Sequence, residues 1–257
     1  MATVRRVIAP NPGPFTGPGT NTWILGDGPA LVVIDPGPDD DHHLAALRRA
    51  VGAHAVGVVL VTHGHADHVE LAERFAGLHQ ARVARYPDLA DGDVVRVGAL
   101  SLTALHTPGH APDHLAFWLA GDRVLFTGDL VLGRGSSMVT YPEGDVAAYL
   151  RSLERVAALR PRLLFPGHWD PVADSEAKIE EYREHRLARE RQVVAELAAG
   201  GPGTAAELTE RVYAAELAGV DGREQLLRAA EMTLRAHLRK LVDEGRVTER
   251  DGRFHLS

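Results

Sequence analysis

Four ionisable groups fall within six positions of the segment VTHGHADHVE: His63, His65, Asp67 and His68. The run just before them, VGVVLVT, has the composition of a buried strand, so the cluster stands at the mouth of a core. Three further candidates occupy the same setting, where LTALHTPG leads to His110, VLFTG to Asp129 and LLFPG to His168. Neutral imidazoles and carboxylates bind zinc, iron or manganese through nitrogen and oxygen. Residues two apart in an extended segment share a side, so His63 and His65 can grip one ion together. Asp67 and His68 follow the turn into the next helix and can face a second ion. Asp129, with two oxygens, is the natural bridge, and the seven residues together read as a two-metal cage. Two ions about 3.5–4 Å apart can share a water and lower its pKa toward neutrality. The resulting metal-bridging hydroxide can attack a carbonyl or phosphorus centre while the ions stabilise the developing charge. Asp67 can also orient that nucleophile through its second oxygen. The isolated histidines His79, His106 and His185 read as surface groups, or as supports behind the ligands, and not as ligands.

The elements that must position these groups come in two regimes. Up to about residue 170, short apolar runs such as NTWILG, ALVVIDPG, LAFWLAG and RVLFTGDL alternate with Gly/Pro/Asp breaks, and helical patterns lie between some of them. Strands interleaved with helices imply an α/β layered domain. Loops at the ends of rigid strands are where converging side chains are normally built. Next, SEAKIEEYREHRLARERQVVAELAA reads as one long, charged, amphipathic helix that stops at GGPG, residues 200–203. The expected division is a catalytic domain over 1–173, a linker helix and hinge over 174–203, and a small unit over 204–257.

Composition narrows the chemistry. The 257 residues contain no cysteine, which excludes disulfides, thiol nucleophiles and thiolate-bound metal. Net charge is −7, which does not advertise nucleic acid or acidic membrane as a partner. The N-terminus has no apolar stretch behind its basic residues and no run approaches membrane-spanning length, so a cytoplasmic protein is expected. The glycines of TGPGT and LGRGS lack the strand–helix context of a phosphate cradle and read as loops lining the pocket.

THGHADH, followed in order by TPGH, TGD and PGH, resembles the metallo-β-lactamase superfamily over roughly residues 3–172. The resemblance implies an αββα sandwich with the site at one edge. It assigns His63, His65 and His110 to a first ion, Asp67, His68 and His168 to a second, and Asp129 to the bridge. It also implies that Asp35, in VVIDPG, and His114, in HAPDH, support the ligands from behind. NPGPFTGPGTNTWIL, GDLVLGRGSSMV and EYREHRLARERQ are similar to one subgroup that carries a C-terminal winged helix and includes an endoribonuclease and polyketide thioesterases. The tail fits, with TAAELTERVY, a helical AAEMTLRAHLRKLVDEG and two strand-like pieces around a DG turn. One departure stands out. The position after PGH is usually glycine and here is Trp169, whose indole is expected to border and narrow the pocket.

The resemblance implies two divalent ions, zinc first, with iron or manganese as alternatives. True β-lactamase activity is disfavoured because the best-known zinc subclass places a cysteine where Asp129 stands. A large inserted nuclease domain does not fit in the 38 residues between Asp129 and His168. The favoured reading is a hydrolase of a small ester or thioester. The alternative is an endoribonuclease or phosphodiesterase acting on single-stranded RNA, and a DNA-binding regulator without catalysis ranks below both. Residues 204–257 carry nine Lys and Arg against ten Asp and Glu, which is poor for a DNA reader. A path for RNA would run along Arg183, Arg186, Arg189 and Arg191, but Glu180, Glu181, Glu184 and Glu190 lie among them at pairing distances along a helix. The small unit is expected instead to pack on the catalytic domain, wall the pocket or form a homodimer contact.

Overall fold

The computed structural model describes residues 2–216 and 223–257. Asp221 and the Arg223 side chain, both in the tail's charge count, lie outside what it describes. The elements in chain order are β1 (Val4–Ile8), β2 (Asn21–Leu25), β3 (Ala30–Ile34), α1 (Asp41–Val51), β4 (Ala55–Leu60), α2 (Ala66–Val69), α3 (Ala72–His79) and β5 (Arg82–Ala84). They continue with β6 (Val94–Val97), β7 (Leu100–His106), β8 (Leu115–Leu119), β9 (Val124–Gly128), α4 (Val146–Ala158), β10 (Leu163–Pro166) and α5 (Ser175–Gly200). The C-terminal elements are α6 (Ala205–Tyr213), α7 (Arg223–Asp243), β11 (Val247–Arg250) and β12 (Arg253–Leu256). No helix among the described residues is long and apolar enough to cross a membrane.

The first unit comprises Met1–Pro108, Asp113–Ser137 and Ser152–Ile179. It holds two five-stranded sheets, ordered β1-β2-β3-β4-β5 and β10-β9-β8-β7-β6. Its middle strands, β3 (ALVVI) and β8 (LAFWL), are apolar at every position, as suits strands covered on both faces. Trp23, Leu25, Val32, Ile34, Val58 and Leu60 face Leu102, Leu115, Phe117, Phe126 and Phe165 across the sandwich. Alternate residues Ile24, Leu31, Val33 and Val59 pack instead with Leu44 and Leu47 of α1 and Phe75 of α3. The architecture is the α/β sandwich the sequence implied.

Parallel pairing places the chemistry. The β3–β4 and β9–β10 pairs are parallel, so each pair ends on the same edge of its sheet. Asp35 follows β3, the His63–His68 segment follows β4, Asp129 follows β9 and His168 follows β10.

The second unit gathers Gly109–Pro112 and Met138–Arg151 with Glu180–Ser257. The expected helix after residue 174 is α5, and it ends at Gly200 before Gly201 in the left-handed region. Thr204 and Glu207 form a reciprocal capping box at the start of α6. The DG turn appears where the sequence indicated, Asp251 and Gly252 both having positive φ between antiparallel β11 and β12. Val193 and Leu197 of α5 join Leu208, Leu234, Leu238, Leu241, Val247 and Phe254 in one core. One expectation is corrected here. Arg186 and Arg189, read as part of a path for RNA that neighbouring glutamates would neutralise, are instead withdrawn by burial, being only 2% and 7% exposed. They fall on the inward stripe of α5 with Ile179, Tyr182 and Val193, so helical spacing and not polarity decided their place.

Candidate metal centre

Local geometry delivers the first histidines together. His65 caps α2 with extended backbone, so Asp67 and His68 turn onto the first helical turn. His63 Nε2 and His65 Nδ1 lie 3.0 Å apart. Asp35 fixes which nitrogen of His63 carries a proton. Its carboxylate accepts the Thr62 N–H at 2.7 Å and the Thr62 hydroxyl at 2.7 Å. With its hydrogen committed to Asp35, the Thr62 oxygen is an acceptor for His63 Nδ1 at 3.0 Å. The proton of a neutral His63 therefore sits on Nδ1, and Nε2 presents its lone pair toward His65.

Asp35 also receives His68 Nδ1 at 2.9 Å, which aims His68 Nε2 the other way. That fully buried Nε2 has no hydrogen-bond partner among the described residues. It stands 3.6 Å from Asp67 Oδ2 and 3.5 Å from Asp129 Oδ1, while His168 Nε2 stands 3.4 Å from Asp67 Oδ2 and 3.4 Å from Asp129 Oδ2. These separations are too long for good hydrogen bonds. They match the edge of a ligand tetrahedron: bonds of about 2.0–2.2 Å to a central ion put neighbouring ligand atoms about 3.3–3.6 Å apart. His63, His68 and Asp129 form one group of ligand atoms within 4.8 Å of one another, and Asp67, His68 and His168 form another. The electrostatics agree. Burial opposes charge on His68, yet Asp129, Asp35 and Asp67 outweigh it and push its pKa up to about 10. A pocket that holds a proton this firmly is a pocket that favours a cation.

Glycine makes the convergence fit. A Cβ on Gly167 would stand 2.4 Å from Asp129 Oδ1 and 2.7 Å from His68 Cε1. His114, fully buried, accepts the Asp129 N–H on Nε2 at 3.1 Å and shares a 2.9 Å hydrogen bond with Thr107 Oγ1 through Nδ1. Its Nε2 is thus turned to the backbone that carries Asp129. His110 belongs to the second unit, where its Nδ1 meets Met138 O at 2.6 Å; that ring therefore carries its proton on Nδ1 and its lone pair on Nε2.

Trp169 has φ 63°, the left-handed conformation that favours glycine. Its carbonyl accepts from Asn21 Nδ2 at 2.7 Å and from Arg6 Nη1 at 3.1 Å, which holds the strained residue in place. The indole lies over Gly17, where a Cβ would come within 2.4 Å of the ring, and its centroid is 6.1 Å from that of His168. The TGPGT glycines thus allow a loop to close against the tryptophan. Sequence reasoning missed Thr20, whose hydroxyl meets Asp67 Oδ2 at 2.9 Å, and Thr62. Both follow or precede apolar runs and carry no charge, so nothing in spacing singles them out.

Comparison with known proteins fits this geometry. The metallo-beta-lactamase superfamily model matches residues 15–92 and 84–168, and the beta-lactamase associated winged helix domain matches 204–253. A beta-lactamase-like protein 2 homolog from Caenorhabditis elegans is 31% identical over 260 residues, covering 94% of this chain and 85% of that protein. An atrochrysone carboxyl ACP thioesterase from Aspergillus chevalieri is 38% identical over 205 residues, covering 76% of this chain and 65% of its own length. Among solved structures, a metallo-beta-lactamase family protein from Thermus thermophilus superposes with TM-score 0.84 at 26% identity, covering 99% of this chain and 98% of the other. The chain belongs to the metallo-β-lactamase superfamily and carries that family's associated winged-helix domain at its C-terminal end.

Proposed function

We propose that the chain is a dinuclear metal-dependent hydrolase of small thioesters or esters. His63, His65 and His110 would hold one ion, Asp67, His68 and His168 the other, and Asp129 both. The observation that carries the reading is the set of 3.4–3.6 Å separations among the His68, His168, Asp67 and Asp129 ligand atoms, set by Asp35 and closed by Gly167. Zinc suits this all-nitrogen-and-oxygen set, and iron and manganese suit it too. When bound, the ions supply Lewis acidity and an activated water. The protein's own part is orientation. Asp67, with a side chain 29% exposed against 12% for Asp129, is the carboxylate that incoming water and substrate meet. It orients the attacking water, while Asp35 and His114 hold His68 and Asp129 in place. Trp169, beside His168, borders the pocket and limits the bulk it admits. Residues 204–257 form a winged-helix domain whose core takes in the end of α5, and a homodimer contact is one role for it.

Thioester over RNA is favoured by charge. Arg186 and Arg189 are buried and Arg183 is held bidentately by Glu180, so the helix offers little to phosphates. On α7, Arg228, Arg235 and Arg239 each pair with an acid four residues away. The thioesterase named among the relatives supports the same substrate class. The test is a panel of thioester, lactone, phosphodiester and RNA substrates on zinc- or manganese-loaded protein, with His63→Ala as control. An activated thioester should be hydrolysed at a rate that varies weakly with salt. Efficient cleavage of single-stranded RNA that collapses between low and moderate salt, and is abolished in the control, would sink the thioester reading.

A further inference from the structure

The segment between β1 and β2 is held in one shape from both ends. Ala9 N–H donates to Thr20 O at 2.8 Å, Gly19 N–H to Thr16 O at 3.0 Å, and the Thr16 hydroxyl to Asn11 O at 2.6 Å. Gly19 has φ 138°, and a Cβ there would stand 2.0 Å from Ala9 O, so the arm closes only on glycine. The last residues of the arm reach the ligand loops. Thr20 forms a bridge with His168, and Asn21 N–H donates to Gly167 O at 2.7 Å.

Within this arm the direction of each hydrogen bond is determined. Thr20 N–H is a donor and points at Asn11 Oδ1 at 2.9 Å, so the Asn11 amide must present its oxygen there. Asn11 Nδ2 therefore faces Thr20 Oγ1, 3.0 Å away, and donates to it. The Thr20 hydroxyl has one hydrogen, and the group left to receive it is Asp67 Oδ2 at 2.9 Å. That oxygen is the one nearest both His68 Nε2 and His168 Nε2. Thr20 is itself 0% exposed, so bulk water does not reach its hydroxyl.

We propose that Asn11 and Thr20 form a one-way hydrogen-bond relay that positions Asp67 Oδ2 as a ligand for one of two metal ions. This rests on the dinuclear reading above, and the arm's role is that of a positioning device without contact to the substrate. The hydroxyl donates to a carboxylate in the orientation that cation binding needs, and it opposes rotation of Asp67 toward solvent. Outer-shell partners of this kind typically change metal affinity about 10–100-fold when removed.

Three variants test it, with zinc as probe titrated against a chromophoric chelator. Thr20→Val removes the hydroxyl, Thr20→Ser keeps it, and Asn11→Asp keeps the shape while turning the donor into an acceptor. Wild type should take up two ions. Thr20→Val and Asn11→Asp should weaken one of them about 10–100-fold and leave the other unchanged, while Thr20→Ser stays near wild type. Asn11→Asp is the sharp arm, because an added negative charge by itself would tighten cation binding, whereas capture of the Thr20 hydrogen by the new carboxylate loosens it. Two ions bound with wild-type affinity by both Thr20→Val and Asn11→Asp would overturn the relay and leave the dinuclear reading standing. A wild-type protein that takes up fewer than two ions would overturn both. The melting temperature of each metal-free variant should match wild type; loss of one ion in Thr20→Ser together with a lowered melting temperature would mark a folding defect and count against the relay.

Discussion

His68 in the first unit and His237 in the second are both 0% exposed, yet burial ends in opposite results. Loss of water works against the charged form at both sites. At His68 the carboxylates of Asp129, Asp35 and Asp67 reverse that tendency and lift the pKa to about 10. At His237 the neighbours are Arg186, Arg189 and Lys240, which reinforce burial and push the pKa down to about 3. Neither ring nitrogen of His237 has a hydrogen-bond partner among the described residues. The sign of the surrounding charge, and not depth, separates a histidine poised for a cation from one kept neutral within a helical core.

The comparison breaks most decisively at Asp129. Asp129→Ala removes the carboxylate proposed to serve both ions. It should cut thioester kcat/KM by about a thousandfold, the equivalent of several kcal/mol of lost stabilisation at about 1.4 kcal/mol per tenfold. Elemental analysis should show the ion at Asp67, His68 and His168 lost more readily than the other. Two tightly held ions with a rate within tenfold of wild type would remove Asp129 from its central place.

His237→Leu sharpens the opposite pole. The folded pKa of His237 lies below its unfolded value of about 6.5, so its neutrality contributes stability above that pH, and the contribution is lost as pH falls from there toward 3. In metal-free protein, urea unfolding of the wild type should lose stability on acidification with a limiting slope of about 1.4 kcal/mol per pH unit from this group. The leucine variant should show a shallower fall. Parallel curves would mean that His237 is not held neutral.

The smallest effect is expected at Trp169. Trp169→Gly relieves the left-handed backbone, worth about 1 kcal/mol, and forfeits the indole's packing on Gly17, so net stability should move little. Metal uptake should be unchanged, and bulky thioesters should gain on small ones by up to about tenfold, read as a ratio of kcat/KM values. A constant ratio would place the indole outside substrate discrimination.

These contrasts also mark what the sequence could convey. The clustering of the proposed ligands was legible because each apolar run stops at a group able to bind metal, and a strand end is a fixed address. Asp35 was visible through the family resemblance, but its three hydrogen bonds, to Thr62 twice and His68 once, were not. Asn11 and Thr20 carry no charge and precede Asp67 by dozens of residues, so the relay exists only after folding. Arg186 and Arg189 misled because charged side chains on a long helix read as solvated, whereas their guanidiniums stack over Tyr149 and Tyr213 at 5.2 and 4.0 Å. That Gly109–Pro112 and Met138–Arg151 group with the C-terminal unit was also hidden, since periodicity shows that a helix such as α4 has an apolar face but not what that face packs on.

The hydrogen bonds from Asn21 to Pro166 and Trp169 span 145 and 148 positions of the chain, and they impose an order in time. A ribosome adding about 5–20 residues per second takes about 5–20 s to travel from His68 to His168. During that interval the first sheet can assemble, because its last strand ends at Ala84, but Asn21 lacks its acceptors and Asp67 lacks the histidine opposite it. On the dinuclear reading the newborn chain therefore carries only part of its cation trap, and the Asp67, His68 and His168 set is completed late, by the arrival of one tripeptide, Pro166-Gly167-His168.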